Sequence, residues 1–163
     1  MDKYQQSHKD KLFKPDRLDV YVESHRPRGL AQCPQCGVKY HAGQWTWHVD
    51  LSAQEVESFL CPACRRTLDQ APAGEVRISG GFLKTHEDEI IHLLRNTEER
   101  EKHDHALERL ISIVRDGDEL VATTTGIHLA NRIGHALDAA YDGQSSYRYS
   151  DSESYLSVDW HRD

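Results

Sequence analysis

The stretch 33–65 begins with CPQCG (33–37) and ends with CPACR (61–65), and these two phrases hold all four cysteines of the chain. Two cysteines separated by two residues on a tight turn can direct both thiolates at one ion, and two such turns complete a tetrahedron. Four soft thiolates suit Zn²⁺ and leave no coordination position for a substrate. The spacing C-x2-C-x24-C-x2-C therefore predicts a zinc ribbon with one structural Zn²⁺ and four ligands: Cys33, Cys36, Cys61 and Cys64.

The two cysteine pairs are also compatible with roles other than a structural zinc site. A rubredoxin-type iron site also uses four thiolates, so the metal is open between zinc and iron. His41 and His48 are close enough in sequence to replace a cysteine as ligand. A thioredoxin-like motif needs a CxxC pair at a strand-to-helix junction, and the sequence predicts neither pair at one.

Composition and charge narrow the class of protein. The 163 residues have a formal net charge of −7, which argues against a protein that coats nucleic acid by bulk attraction. Leu, Ile, Val and Phe make up about a fifth of the chain, close to the limit for an ordered domain. No apolar run approaches the roughly 18 to 20 residues of a membrane span, and the start MDKYQQSHKD lacks the apolar run of a signal peptide. We therefore expect a cytoplasmic protein without membrane contact, in which disulfides are disfavoured.

Changes in composition divide the chain into three predicted parts. Residues 1–32 carry seven Lys or Arg against five Asp or Glu and few apolar residues, which predicts a weakly basic, flexible arm with one strand-like piece, LDVYVE (18–23). Residues 33–70 form the predicted zinc ribbon, and VKYHAGQWTWHVD (38–50) can make its short hairpin. The Pro and Gly junction QAPAG (70–74) marks the boundary with the third part, an α+β sandwich over 71–163.

The sandwich is predicted to start with a strand and a helix. EVRIS (75–79) alternates apolar and polar residues with period two, as a half-buried strand does. A helix should follow, because Thr85 and Asp88 make a start similar to a capping box. The polar run TEEREKHDH (97–105) is expected to be the solvated end of this helix or a loop after it.

The remaining residues predict a hairpin, a second helix and one more strand or hairpin. RLISIVRDGDELVATTT (109–125) reads as two strands joined at Asp116 and Gly117. Gly143 is expected to supply a left-handed C-cap to the second helix. That helix is predicted from apolar residues at i, i+3 and i+4 spacing: Leu129, Ala130, Ile133, Ala136, Leu137, Ala140 and Tyr141. YRYS and YLSVDW, on either side of DSES, then form one bent strand or a hairpin.

The element order β-α-β-β-α-β predicts the fold class α+β, with a two-layer, ferredoxin-like sandwich after the ribbon. In that arrangement two helices cover one face of an antiparallel sheet. KH-like and other two-layer topologies share much of this order, so the fold class is better determined than the strand order.

Five ribbon residues are candidates for a small basic and aromatic surface that contacts nucleic acid: Lys39, Trp45, Trp47, Arg65 and Arg66. Arginines can meet backbone phosphates while indoles stack on unpaired bases. The alternative is that both tryptophans belong to the ribbon core, because residues two apart on a strand share one face. The three threonines 123–125 could likewise hold a phosphate at a helix N-terminus or simply cap it.

Motifs for catalysis are missing from the sequence. The chain has no phosphate loop, nucleophile elbow or dinucleotide fingerprint, so we expect a protein that is not an enzyme and has no small-molecule substrate. Eleven histidines make a second metal site conceivable, but no HExxH or compact carboxylate cluster accompanies them. They are interpreted as partly exposed residues on polar faces.

Several stretches together resemble a family of small, largely uncharacterised bacterial zinc-ribbon proteins: CPQCGVKYHAGQW, CPACRRTLDQAPAGEV, HEDEIIHLLRN, HALERL and TTTGIHLANRIGHALDAAYDG. More distantly, TTTGIHLANRIGHAL and YRYSDSESYLSVDW are similar to the domain after the zinc modules in the eukaryotic adaptor that escorts the large ribosomal subunit out of the nucleus, and in its archaeal relatives. This resemblance implies a role near RNA or the ribosome.

The sequence thus leads to a non-catalytic zinc-ribbon protein that binds RNA or associates with the ribosome. The alternative is a protein–protein interaction adaptor with a structural zinc and no nucleic-acid contact, which the net charge of −7 favours. A third hypothesis is a zinc-buffering or redox-sensing protein whose cysteines release the metal on oxidation.

Overall fold

A computed structural model describes residues 19–24 and 26–163. These residues form four helices: α1 (Val20–Ser24), α2 (Pro62–Asp69), α3 (Gly81–Asp104) and α4 (Ile127–Ala140). They form nine strands: β1 (Ala31–Gln32), β2 (Lys39–His41), β3 (Gln44–Thr46), β4 (Glu57–Ser58), β5 (Gly74–Ser79), β6 (Leu110–Asp116), β7 (Glu119–Thr124), β8 (Gln144–Tyr149) and β9 (Leu156–His161). The fold class is α+β, as predicted.

The first sheet carries the cysteine region and has the strand order β3-β2-β1-β4. Strands β2 and β3 make the predicted short hairpin, with His41 opposite Gln44. Ala42 and Gly43 form its turn, with φ angles of 53° and 82°, as a type I′ turn requires. Strand β4 pairs parallel to β1 and brings the chain back beside its start.

The second sheet has five strands in the order β6-β7-β5-β9-β8. The ferredoxin-like order is not confirmed, because the central strand β5 pairs antiparallel with β7 and parallel with β9. The last segment forms a hairpin rather than one bent strand, since β8 pairs antiparallel with β9. That hairpin places the final strand beside β5 and leaves β8 at the sheet edge.

The main core lies between this sheet and the helices α3 and α4. Its fully buried members come from β5, β7, β9 and both helices: Val76, Ile78, Leu83, Ile90, Leu94, Leu120, Ala122, Leu129, Ala130, Ile133, Leu137, Leu156, Val158 and Trp160. A second, smaller cluster surrounds the cysteines and is described below.

Part of the predicted arm 1–32 is ordered against the ribbon, while residues 1–18 and 25 lie outside the described residues. The strand-like interpretation of LDVYVE is wrong over Val20–Ser24, which is helical. Asp19 explains the difference, because its Oδ1 accepts hydrogen bonds from the backbone N–H groups of Tyr21 and Val22 and so begins a helix. Strand β1 joins the ribbon sheet two residues before the predicted ribbon begins.

Helix α3 begins earlier than predicted and continues through the polar run. It starts at Gly81 and has a kink at His86, where φ is −129° and ψ is 21°. The Thr85 hydroxyl donates to the carbonyl of Phe82 instead of capping a helix start. The polar run 97–105 forms the end of this helix except for its last residue, because α3 ends at Asp104.

Two glycines predicted to shape turns or caps differ from the prediction, one in position and the other in role. The β6–β7 turn is centred one residue later than predicted, on Gly117 and Asp118, because Asp116 pairs with Glu119. Gly117 has φ = 62° at the first turn position, as in a type II′ turn. Gly143 does not cap α4, whose C-cap is Tyr141 in an extended conformation. It is instead a close-packing site for the indole of Trp160.

Within the described residues, no helix is both long and apolar enough to cross a lipid bilayer.

Candidate metal centre

The first cysteine pair lies on a tight turn after β1. The backbone N–H of Cys33 donates to the carbonyl of Val38 at 2.8 Å, and Gly37 donates to the carbonyl of Cys33 at 2.9 Å. Gly37 has φ = 85°, a left-handed conformation that closes the turn without a Cβ clash. This turn brings the sulfurs of Cys33 and Cys36 within 4.8 Å of each other.

The second pair lies at the N-terminus of α2. Cys61 is the N-cap, and its sulfur accepts a hydrogen bond from the N–H of Cys64 at 3.4 Å. Pro62 occupies the first helical turn, where a missing N–H costs nothing. The expectation that neither pair lies at a strand-to-helix junction is wrong for this pair, which follows β4 closely.

The four sulfur atoms converge on one point. One ligand atom from each cysteine lies within 4.8 Å of the others, and the sulfurs of Cys36 and Cys61 are 3.8 Å apart. Cys33 and Cys61 are buried, and Cys36 and Cys64 are partly buried. The cluster consists of the four cysteines, while His48 contacts the carbonyl of His103 instead. The predicted ligands are therefore close enough to bind one metal ion.

Hydrogen bonds and burial shift the pKa values of Cys36, Cys61 and Cys64 in different directions. A hydrogen bond from Cys61 lowers the pKa of Cys36 to about 4, and the same bond raises the pKa of Cys61. Burial raises the pKa of Cys64 to about 11. An ion that binds four thiolates would therefore displace protons from this cluster as it enters, so its affinity should fall at low pH.

Arg109 contacts the cysteines from the α+β part of the chain, and the sequence analysis did not identify it. Its Nη2 donates to the sulfur of Cys36 at 3.2 Å, and its Nη1 lies 3.8 Å from the sulfur of Cys64. Its Nε donates to the carbonyl of Ala106, which fixes the guanidinium. Burial opposes the charge of Arg109, but the Cys36 thiolate raises its pKa above the ordinary value. Four thiolates and a dication carry a net charge of −2, so this fixed cation suits a metal-bound cluster.

Other contacts dock the ribbon on the end of α3. The indole N–H of Trp47 donates to the carbonyl of Lys102 at 2.9 Å, and its ring lies 5.2 Å from the guanidinium carbon of Arg109. Ala106 and Leu107 pack in the cluster that surrounds the cysteines. The metal centre therefore sits at the junction of the ribbon and the sandwich.

The five residues predicted to contact nucleic acid all lie in partly or fully buried positions. Trp45 packs edge-on against Tyr40, with ring centroids 5.0 Å apart, and Trp47 is docked on α3 as described. Both tryptophans thus belong to the packed interior of the ribbon. Lys39 and Arg65 are partly buried on β2 and α2.

Arg66 is a packing residue of the ribbon, with 8% of its surface exposed. Its Nη1 donates to the carbonyl of Ala71 at 2.8 Å, and its Nη2 pairs with Asp19 at 3.0 Å. Its guanidinium carbon lies 4.2 Å from the ring centre of Tyr21. These contacts tie α1 to α2 and use the charge that a phosphate would need.

A carboxylate occupies the helix end that was a candidate phosphate site. Glu108 Oε1 accepts the backbone N–H of Leu129 in the first turn of α4, at 2.6 Å. The hydroxyl of Thr124 donates to the carbonyl of Gly126, and that of Thr125 donates to the carbonyl of Leu107. The threonines are therefore structural, and the Glu108 side chain fills the position that an external anion would need.

No protein-family model matches the chain, and no curated protein sequence matches it either. The resemblance to bacterial zinc-ribbon proteins and to the ribosomal export adaptor therefore stays a prediction.

Proposed function

We propose that this chain is a non-catalytic zinc-ribbon protein in which one structural Zn²⁺ fixes the ribbon to the sandwich, so that the two present one rigid surface to a protein partner. The observation that carries the proposal is the contact between Arg109 and the sulfurs of Cys36 and Cys64. This contact makes the metal centre a link between two parts of the fold.

The donor set supports a structural role for the ion. Four thiolates complete a tetrahedron, so no position is left for a substrate or an activated water. Arg109 covers the cluster from the side of the sandwich, and Trp47 of the ribbon packs against the same cluster. A ribbon of this size has a small core, so metal binding would supply much of its folding free energy.

Charge favours a protein over RNA as the partner. Residues 71–163 carry ten Lys or Arg against eighteen Asp or Glu, a formal charge of −8. Residues 26–70 carry five against four and are nearly neutral. A polyanion would be repelled by the larger part and would find Arg66 already paired with Asp19. Binding to RNA or the ribosome, which the resemblance implies, is the second candidate.

The structural role of the metal is tested with Cys61→Ser. This change removes one sulfur ligand, whereas serine can still cap α2, so we expect loss of the bound zinc and of ribbon structure because the ligand is missing. The separate core around Trp160 should stay folded. Zinc content by mass spectrometry and amide hydrogen exchange measure the two parts independently. Ser145→Ala on the distant strand β8, which removes a hydroxyl that donates to Asp138, is the control and should keep full zinc content. Full zinc content and unchanged exchange in Cys61→Ser would contradict the proposal.

The partner class is tested by affinity purification from the native host, with the parent and Cys61→Ser handled in parallel. We expect one protein enriched near equal stoichiometry with the parent, resistant to a rise in salt from about 50 to about 200 mM, and absent from the variant. Enriched ribosomal RNA that is released by the same rise in salt would support the second candidate and overturn the first.

A further inference from the structure

A second group of metal-binding side chains lies outside the cysteine centre, where the end of α3 meets the start of α4. Glu101 is in the last turn of α3, His105 follows the end of that helix, and His128 is in the first turn of α4. One ligand atom from each of the three lies within 4.8 Å of the others. The rings of His105 and His128 have centroids 4.6 Å apart.

Neighbouring contacts hold the carboxylate of this group in place. The Glu101 side chain is 16% exposed, and its Oε2 lies 2.8 Å from Nε2 of His128. Its Oε1 accepts a hydrogen bond from Nε of Arg132 at 2.9 Å. Burial alone would raise the pKa of Glu101, but the hydrogen bonds from His128 and Arg132 lower it below the ordinary value. Arg132 thus orients the carboxylate in the way that outer partners orient metal ligands.

We propose that Glu101, His105 and His128 bind a second divalent transition-metal ion, separate from the ion held by the cysteines. Two imidazoles and one carboxylate suit borderline ions such as Zn²⁺, Co²⁺ and Ni²⁺ and do not suit Ca²⁺ or Mg²⁺, which prefer oxygen ligands. Three protein ligands leave at least one position for water or an outside ligand, in contrast to the closed cysteine centre.

The geometry requires small side-chain movements. Ligand atoms around a tetrahedral ion at about 2.1 Å stand about 3.4 Å apart, closer than the 4.8 Å limit that the three residues meet. His105 and His128 are exposed and can rotate to close this distance, whereas Glu101 is already oriented. His128 would exchange its hydrogen bond with Glu101 for a bond to the shared ion.

The position of this site gives it a structural consequence. The residue after Glu101 is Lys102, whose carbonyl receives the indole N–H of Trp47, and the segment continues to Arg109 at the cysteines. An ion at the second site would tie this segment to α4. The site does not depend on the identity of the partner proposed above.

The test uses the full chain carrying one equivalent of zinc at the cysteines, titrated with Zn²⁺ by calorimetry near neutral pH. We expect the parent to take up a second equivalent, and His128→Ala to bind it at least about tenfold more weakly while it retains the first equivalent. His135→Ala, a histidine on the same helix beside Tyr147, is the matched control and should keep both. His105→Ala and Glu101→Gln should repeat the loss if His128→Ala proves unstable.

The competing interpretation is a surface ion pair among Glu101, His128 and Arg132 with no metal. It predicts that the parent binds one equivalent in total, or that His128→Ala and His135→Ala bind zinc equally. Either result would overturn the proposal.

Discussion

Replacing Arg109 with alanine should weaken zinc binding strongly, although Arg109 is not a metal ligand. The change removes a charge-assisted hydrogen bond to Cys36 of 3.2 Å, which is worth about 1.5 to 3 kcal/mol. It also removes a cation–π contact with Trp47, worth about 0.5 to 1 kcal/mol. The expected loss is about 3 kcal/mol, which corresponds to an affinity about 100-fold lower.

The assay is competition for zinc with a chromophoric chelator, together with a thermal melt of the metal-bound protein. We propose that the ribbon folds around its ion, so the loss should appear in both measurements. Arg109→Lys keeps the charge without the planar fork and should fall between the parent and Arg109→Ala.

The matched control is Arg115→Ala, on strand β6, which begins directly after Arg109. Arg115 pairs with Glu87 at 2.8 Å, and its side chain is 43% exposed, so its removal should cost about 0 to 1 kcal/mol. If Arg109→Ala and Arg115→Ala bound zinc with the same affinity and had the same melting temperature, the role given to Arg109 would be refuted.

Two further predictions concern buried positions away from the metal. Burial raises the pKa of Glu108 in the folded protein above its unfolded value of about 4.3. The protonated side chain therefore stabilises the fold at pH values below about 4.3, and this stabilisation is lost as the pH rises through the folded pKa. Glu108→Gln keeps an oxygen for the N–H of Leu129 without a charge, so its melting temperature relative to the parent should increase with pH; a constant difference would refute this. Gly143→Ala places a Cβ 2.5 Å from the Trp160 indole and should destabilise the protein by about 1 to 3 kcal/mol. Denaturant titration measures this change, and a variant that unfolds at the parent's midpoint would contradict the prediction.

The cysteine ligands were predictable because their chemistry is local. A CxxC pair on a turn has few possible roles, such as metal binding or redox chemistry. Two such pairs at this spacing favour metal binding. The ligand group that the structure brings together is the one that the spacing predicts. Arg109 was hidden, because it lies 45 residues after Cys64 in the chain and nothing in the local pattern RLISI marks it as different from other surface arginines.

The element types were also largely predictable from periodicity, whereas the strand order was not. The apolar stripe of α4 and the alternation of β5 depend on neighbours in sequence. The place of β9 beside β5 depends on a hairpin returning across the sheet, which leaves no periodic signal. The helix α1 was decided locally, because Asp19 caps it and overrides an imperfect alternation. The role of Gly143, in contrast, is set by Trp160, which is distant in sequence.

The four cysteines are proposed to form a closed centre of four thiolates around one ion. X-ray absorption at the zinc edge, on protein carrying a single equivalent of zinc, measures the ligands of that ion. We expect four sulfur neighbours at about 2.3 Å and no nitrogen or oxygen neighbour. A nitrogen or oxygen neighbour at about 2.0 to 2.2 Å would mean that a histidine, carboxylate or water shares the ion, and the closed structural centre would be contradicted.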